Sequence, residues 1–197
     1  MTPSPSESVT YPLGGPESWQ QVVDAGVVAA QVQDCREASP EATGKALEQL
    51  VAWLLTLIPG FSVEHANRWA FGGASEVDLS VFNRQDPDGL PAFPDMILVE
   101  CKNRTTRMDS SEVAWFDWKL QLGGVAMGII VSVGGITGDP QRKSAAWSIV
   151  ARANSATPQR RILVVSLEEI ANLKSRADLV GLLISKVSLL AMAAPQL

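Results

Sequence analysis

At 197 residues, with 46% hydrophobic and 19% charged residues, the chain has the composition of a soluble globular protein with one substantial core. A formal net charge of −5 excludes a strongly basic, stand-alone nucleic-acid binder. Cys35 and Cys101 lie far apart and match no zinc spacing, so both read as reduced, small apolar residues of a cytoplasmic protein.

Met1 to Pro16 is rich in Pro, Ser and Gly and reads as a disordered tail (residues 1–17) without the basic and apolar regions of a signal peptide. A helix is expected from Ser18 to about Ala38, with Trp19, Val22, Val23, Val27 and Ala30 as its apolar side. Ser39-Pro40-Glu41 has the form of an N-cap and first turn for a second helix. That helix carries Leu47, Leu50, Val51, Leu54 and Ile58 at helical spacing and stops at Pro59-Gly60. The pattern then turns strand-like over Phe61–Trp69, Val77–Phe82 and Met96–Lys102, with Gly72-Gly73 and Asp86-Pro87-Asp88-Gly89 as turns, which makes an antiparallel meander. A helix over Ser111–Leu122 ends at Gly123-Gly124, and a buried strand follows over Met127–Val133. A helix over about Pro140–Ala153 precedes a fifth strand, Arg161–Val165, and Ser166-Leu167-Glu168-Glu169 has the form of a capping box. An amphipathic helix from about Ala177 ends the chain; its apolar stretch, Leu179–Ala194, is interrupted by Lys186 and too short to span a bilayer. The order α, βββ, α, β, α, β, α predicts an α/β (α+β) fold with a mixed sheet and helices on both faces. The organisation expected is a tail (1–17), an N-terminal helix (18–39), one domain (40–173) and a C-terminal helix (174–197).

The chemistry concentrates at the end of the third strand, Met96-Ile97-Leu98-Val99-Glu100-Cys101-Lys102. Side chains in a strand alternate faces, so Glu100 and Lys102 share one face and Cys101 points to the other. Asp78 lies in the preceding strand, a hairpin away. Adjacent strands would bring Asp78 and Glu100 to one point, where two carboxylates and the Cys101 backbone carbonyl would hold a hard divalent cation, Mg²⁺ or Mn²⁺. Lys102 would stand beside the attacking water and the developing charge. Glu48 borders the apolar stripe of the second helix, where its carboxylate would lean over the sheet toward the metal.

This pattern resembles the PD-(D/E)xK nuclease superfamily, the restriction-endonuclease-like fold, and its Mrr-like branch in particular. That core is an αβββαβ arrangement with a helix-borne Glu, an Asp on the second strand and (D/E)xK on the third, positions that Glu48, Asp78, Glu100 and Lys102 match here. The downstream strands Gly128-Ile129-Ile130-Val131-Ser132 and Arg161-Ile162-Leu163-Val164-Val165, with Ala145-Ala146 between, extend the resemblance over roughly 40–173. Val77 replaces the motif's proline; a literal Pro94-Asp95 stands too close to Glu100 to allow a hairpin and reads as a decoy. The resemblance implies a Mg²⁺-dependent DNA endonuclease, with a bacterial defence role as a family-level expectation. The alternative is a catalytically inactive nuclease-fold subunit serving nucleic-acid binding or complex assembly.

Residues 1–99 carry four Lys/Arg against thirteen Asp/Glu, whereas residues 100–161 carry nine against five. A positive field beside the carboxylates suits a polyanion. Arg104, Arg107, Arg142 and Lys143 are the expected phosphate contacts, with Arg160 and Arg161 as extensions. Trp115 and Trp118 read as core, and His65 as structural. So few clustered cations predict a homodimer or a partner protein, joined in part through the C-terminal helix around Leu179, Leu182, Leu183 and Leu190.

Overall fold

The structure, a computed structural model, describes residues 25–37, 43–70 and 75–192, with only the backbone of Ala25, Thr43, residues 64–70, Ser75 and Glu76. The expected tail, the first turns of the first helix with Trp19, Val22 and Val23, the Ser39-Pro40 cap, the Gly72-Gly73 turn and the His65 side chain lie outside what is described.

The elements are α1 (Ala25–Glu37), α2 (Thr43–Thr56), β1 (Phe61–Ala70), β2 (Ser75–Asn83), β3 (Met96–Lys102), α3 (Ser110–Gly123), β4 (Met127–Ser132), α4 (Ala146–Asn154), β5 (Arg161–Ser166), α5 (Leu167–Ala171) and α6 (Arg176–Met192). The five strands lie side by side in chain order. β1, β2 and β3 are antiparallel neighbours, whereas β3, β4 and β5 run parallel through helical crossovers. This is the mixed, helix-flanked α/β sheet that the element order predicts.

Alternation along β3 to β5 divides the core. Ile97, Val99, Cys101, Ile129, Val131, Leu163 and Val165 face α1, α2, α5 and α6, and Leu98, Ile130, Ile162 and Val164 face α3 and α4. Leu47, Leu50, Val51, Leu54 and Ile58 of the α2 segment are all buried, as their spacing predicts. α1 turns a different stripe inward: Val28, Val32 and Cys35 are buried, while Val27 and Ala30 are exposed.

Two expectations about helices are corrected. The segment before α4 is not helical, because Asp139 accepts from the amides of Gln141 and Arg142 and the backbone takes positive φ at Lys143 and Ala145. On α6, Leu179 and Leu183 are buried in this chain's own core and Leu182 and Leu190 pack against it, so they are not an open docking stripe. The large apolar residues that α6 leaves exposed are Ile184, Leu189 and Met192.

Candidate active site

β2 and β3 pair from Phe82↔Met96 to Leu79↔Val99, and their ladder ends there. The next residue of β2 is Asp78. Its Oδ2 accepts a hydrogen bond of 2.7 Å from the backbone N–H of Cys101, so a carboxylate takes the place of the next ladder carbonyl. On the other side of β2, the register with β1 shifts between His65 and Arg68, which pair with Leu79 and Val77. A β-bulge therefore lies opposite Asp78. Val77 and Leu79, two residues apart, pack into cores on opposite faces of the sheet. The chain turns over at Asp78 and aims its side chain at the end of β3, a use of bulges that recurs beside active sites.

Glu100 is buried, and both its oxygens are engaged. Oε1 lies 2.7 Å from Lys102 Nζ, and Oε2 lies 2.8 Å from Lys119 Nζ. Lys119 comes from α3, on the same side of the sheet as Leu98, and its side chain is 5% exposed against 30% for Lys102. Glu48 is half-buried on α2, across β3, and its charge helps to raise the Cys101 thiol. Of the groups predicted from sequence, Asp78, Glu100 and Lys102 thus act on one another at the C-terminal end of β3, and Glu48 acts on Cys101 from α2.

The electrostatics follow from that crowding. Burial and then the Glu100 charge raise the Asp78 carboxyl, against the Cys101 amide, Lys102 and Lys119, which lower it. Burial works against the charged form of Lys102, but the Glu100 charge and hydrogen bond, with Asp78, outweigh it and raise its pKa. Lys102 is therefore a cation here and not a free base. Burial, then Asp78, Glu48 and Glu100, push Cys101 well above the thiol range, and burial with Asp34 raises Cys35 to about 11. Neither thiol supplies a nucleophile at neutral pH.

A family model described as restriction endonuclease, of the Mrr catalytic type, matches residues 40–173. The chain belongs to this restriction-endonuclease family. Comparison with curated proteins and with solved structures gave no match.

The loop after β3 of this restriction-endonuclease domain is held firmly. The Val133 and Gly134 amides donate to the Lys102 and Arg104 carbonyls, and Met108 N–H donates to Gly135. Gly134 is required here: a Cβ on it would stand 2.3 Å from the Thr105 carbonyl oxygen. Asn103 Nδ2 donates to the Cys35 carbonyl at 2.9 Å, which ties the loop to α1, outside the matched segment. Of the expected phosphate contacts, Arg104 and Arg107 are exposed on this loop, and Arg104 is paired with Glu112 of α3. Arg142 and Lys143 are exposed on the turn before α4, where Lys143 lines a groove with Trp147 and Leu190. Arg160 is not surface: it is buried in an ion pair with Asp117, at 2.7 Å. Asp95 is exposed beyond the opposite end of β3, where its carbonyl accepts from Asn83 N–H, so it stands apart from the carboxylate cluster.

Three residues of α3 depart from the sequence reading. Trp115 and Trp118 are not core; they stack on each other in solvent, ring centroids 4.6 Å apart, 49% and 37% exposed. Lys119, unremarked in the sequence, is buried against Glu100. α3 carries apolar residues on every side, so its period did not select a face. The signal for Lys119 was its place between Phe116 and Leu120, both buried.

Among the described residues, no three His, Cys, Asp or Glu side chains stand together as a ready-made metal cage. A hard ion of the Mg²⁺ kind needs less than that: one or two carboxylates, the rest of its shell being water. Asp78, Glu100 and the Cys101 carbonyl are oxygen donors of that type, and the repulsion that raises the Asp78 carboxyl is what a bound cation relieves. The residues present fit such an ion.

Proposed function

We propose that the chain is a divalent-metal-dependent endonuclease that hydrolyses DNA phosphodiester bonds. The observation that carries this reading is the convergence of Asp78, Glu100 and Lys102 at one strand end within a domain of the restriction-endonuclease family. Asp78, Glu100 and the Cys101 carbonyl would hold Mg²⁺ or Mn²⁺, with Glu48 assisting from α2. A bound ion supplies Lewis-acid stabilisation of the phosphate charge and lowers the pKa of water.

The chain's own residues do the rest. Asp78 is fixed by the Cys101 amide and needs no reorganisation to act. Lys102, kept protonated by Glu100, offers a partly exposed cation to the attacking water and to the phosphate as it gains charge. Water oxygen bonds to phosphorus, one P–O ester bond breaks, and the products are a phosphate monoester and a hydroxyl. Arg104 and Arg107, exposed on the pinned loop after Lys102, would take the flanking phosphates. Work as a homodimer or with a DNA-binding partner, and a role as the nuclease effector of a bacterial defence system, belong to the same proposal.

Incubation with plasmid DNA and with RNA, in Mg²⁺, Mn²⁺ or EDTA, tests it. Nicking or cutting of DNA with either ion and none in EDTA is expected. Undiminished cleavage in EDTA refutes metal dependence; RNA cut in place of DNA refutes the substrate. A chain that cuts neither is the inactive assembly subunit.

A further inference from the structure

The two oxygens of Glu100 are held by lysines of very different freedom. Lys102 ends a strand, with its side chain 30% exposed, and its four-carbon stem can carry the ammonium to water. Lys119 has no such exit. Its side chain is 5% exposed, and Phe116 and Leu120 on either side are fully buried. The helix that carries it is also fixed. Asp109 and Glu112 close a capping box at its start, Gly124 ends it in the left-handed region, and Asp117 is clamped by the buried Arg160. Removing Lys119 from Glu100 would leave a buried ammonium without a counter-charge, which is strongly unfavourable.

We infer that Lys119 is a positioning residue: it holds Oε2 of Glu100 permanently and leaves Oε1 as the oxygen for which Lys102 and a divalent cation compete. The inference rests on the metal-dependent reading above. It gives the two lysines separate tasks. Lys102 leaves Glu100 for water and phosphate, and Lys119 stays and keeps the carboxylate from turning. It also has a cost: a fixed positive charge beside the ligand weakens the pull on a cation.

The full chain and its K119M, K119Q and K119R variants would be titrated with MnCl₂ by calorimetry, melted, and assayed for DNA cleavage at saturating Mn²⁺. K119M should bind Mn²⁺ at least as tightly as wild type, because a positive charge has gone. Its cleavage at saturating Mn²⁺ should fall about 10- to 100-fold, the usual effect of losing a residue that orients a metal ligand. K119R, which keeps the charge and a donor, should recover most of that loss. A purely packing role would lower the melting temperature and leave cleavage by the folded protein unchanged. If K119M does not fold, K119Q, which keeps a donor without charge, carries the same expectation. Wild-type cleavage by both K119M and K119Q, or Mn²⁺ binding weakened in step with cleavage, overturns the inference. Wild-type protein that neither binds Mn²⁺ nor cuts DNA overturns the metal-dependent reading itself, and this role with it.

Discussion

Glu100 meets two ammonium groups, and Asp78 meets a backbone amide, so neither carboxylate can be removed without a structural consequence. Glu100→Ala would leave Lys119 buried and unpaired, a loss of about 3–5 kcal/mol for a broken buried pair. Asp78→Ala would strip the Cys101 N–H of its acceptor, at about 1–3 kcal/mol. Glu100→Gln and Asp78→Asn keep shape and an acceptor, and they separate chemistry from folding. Each of these two, and Lys102→Ala, should cut DNA cleavage by on the order of 10²–10³. Asp95→Ala should leave it unchanged, since Asp95 lies beyond the other end of β3. Melting curves and cleavage rates of the six variants check this together; an inactive Asp95→Ala beside an active Asp78→Asn would move the site.

Elements are fixed by a few close approaches. α3 lies directly on β4 at Gly128, where a Cβ would come within 2.6 Å of Phe116 Cε1 and 2.9 Å of Leu120 Cδ1. These two side chains flank Lys119. Gly128→Ala should cost about 1–3 kcal/mol by overpacking and displace the helix that steadies Glu100. Chemical denaturation measures the first effect, and reduced cleavage at a temperature where the variant is folded measures the second. On the opposite face, Glu169 closes the α5 capping box with Ser166 and pairs with Lys186 of α6. Burial alone would raise its carboxyl; Lys186 and the Ser166 amide more than reverse this and hold it below the ordinary carboxylate range. A depressed folded-state pKa means more protons bound in the unfolded chain. The stabilisation is therefore complete above the ordinary carboxylate range and is lost as pH falls through the depressed value. Glu169→Gln should melt below wild type at neutral pH, and the difference should shrink toward acid. A constant difference across that range would refute the linkage.

For the molecule as a whole, charge and area set the limits. Cations cluster only in 100–161, and Arg160 is withdrawn into the core, so few remain to neutralise phosphates. Each phosphate contact contributes about 0.9 to the slope of log affinity against log salt. A lone chain should therefore show a shallow slope and weak duplex binding, both rising on self-association or with a partner. Light scattering beside salt-dependent DNA binding decides this: a strict monomer that binds duplex DNA tightly at physiological salt refutes it. The apolar residues left open to such contacts are not the leucines first expected on α6. Among the described residues they include Trp115, Trp118 and Leu122 on α3, and Ile184, Leu189 and Met192 on α6.

The sequence by itself determined the order of elements, the sheet and its two faces, and the strand end where Glu100 and Lys102 stand. These follow from local patterns: short, nearly continuous apolar runs in β3 to β5, period 3.6 along α2, and a capping box at Ser166. What only tertiary structure decided are the features where a local pattern is ambiguous or broken by a distant neighbour. The bulge opposite Asp78 depends on β1, which the spacing of β2 does not report. The inward face of α3 could not be chosen, because Trp115, Phe116, Trp118, Leu120 and Leu122 surround the helix with apolar surface. Packing on Gly128 selected Phe116 and Leu120, turned both tryptophans to solvent and carried Asp117 and Lys119 inward. Two charges can be buried there because their partners arrive from elsewhere in the fold, Arg160 from the approach to β5 and Glu100 from β3. A charge reads as surface in a sequence until a counter-charge is found for it, and pairing of that kind is decided only in three dimensions.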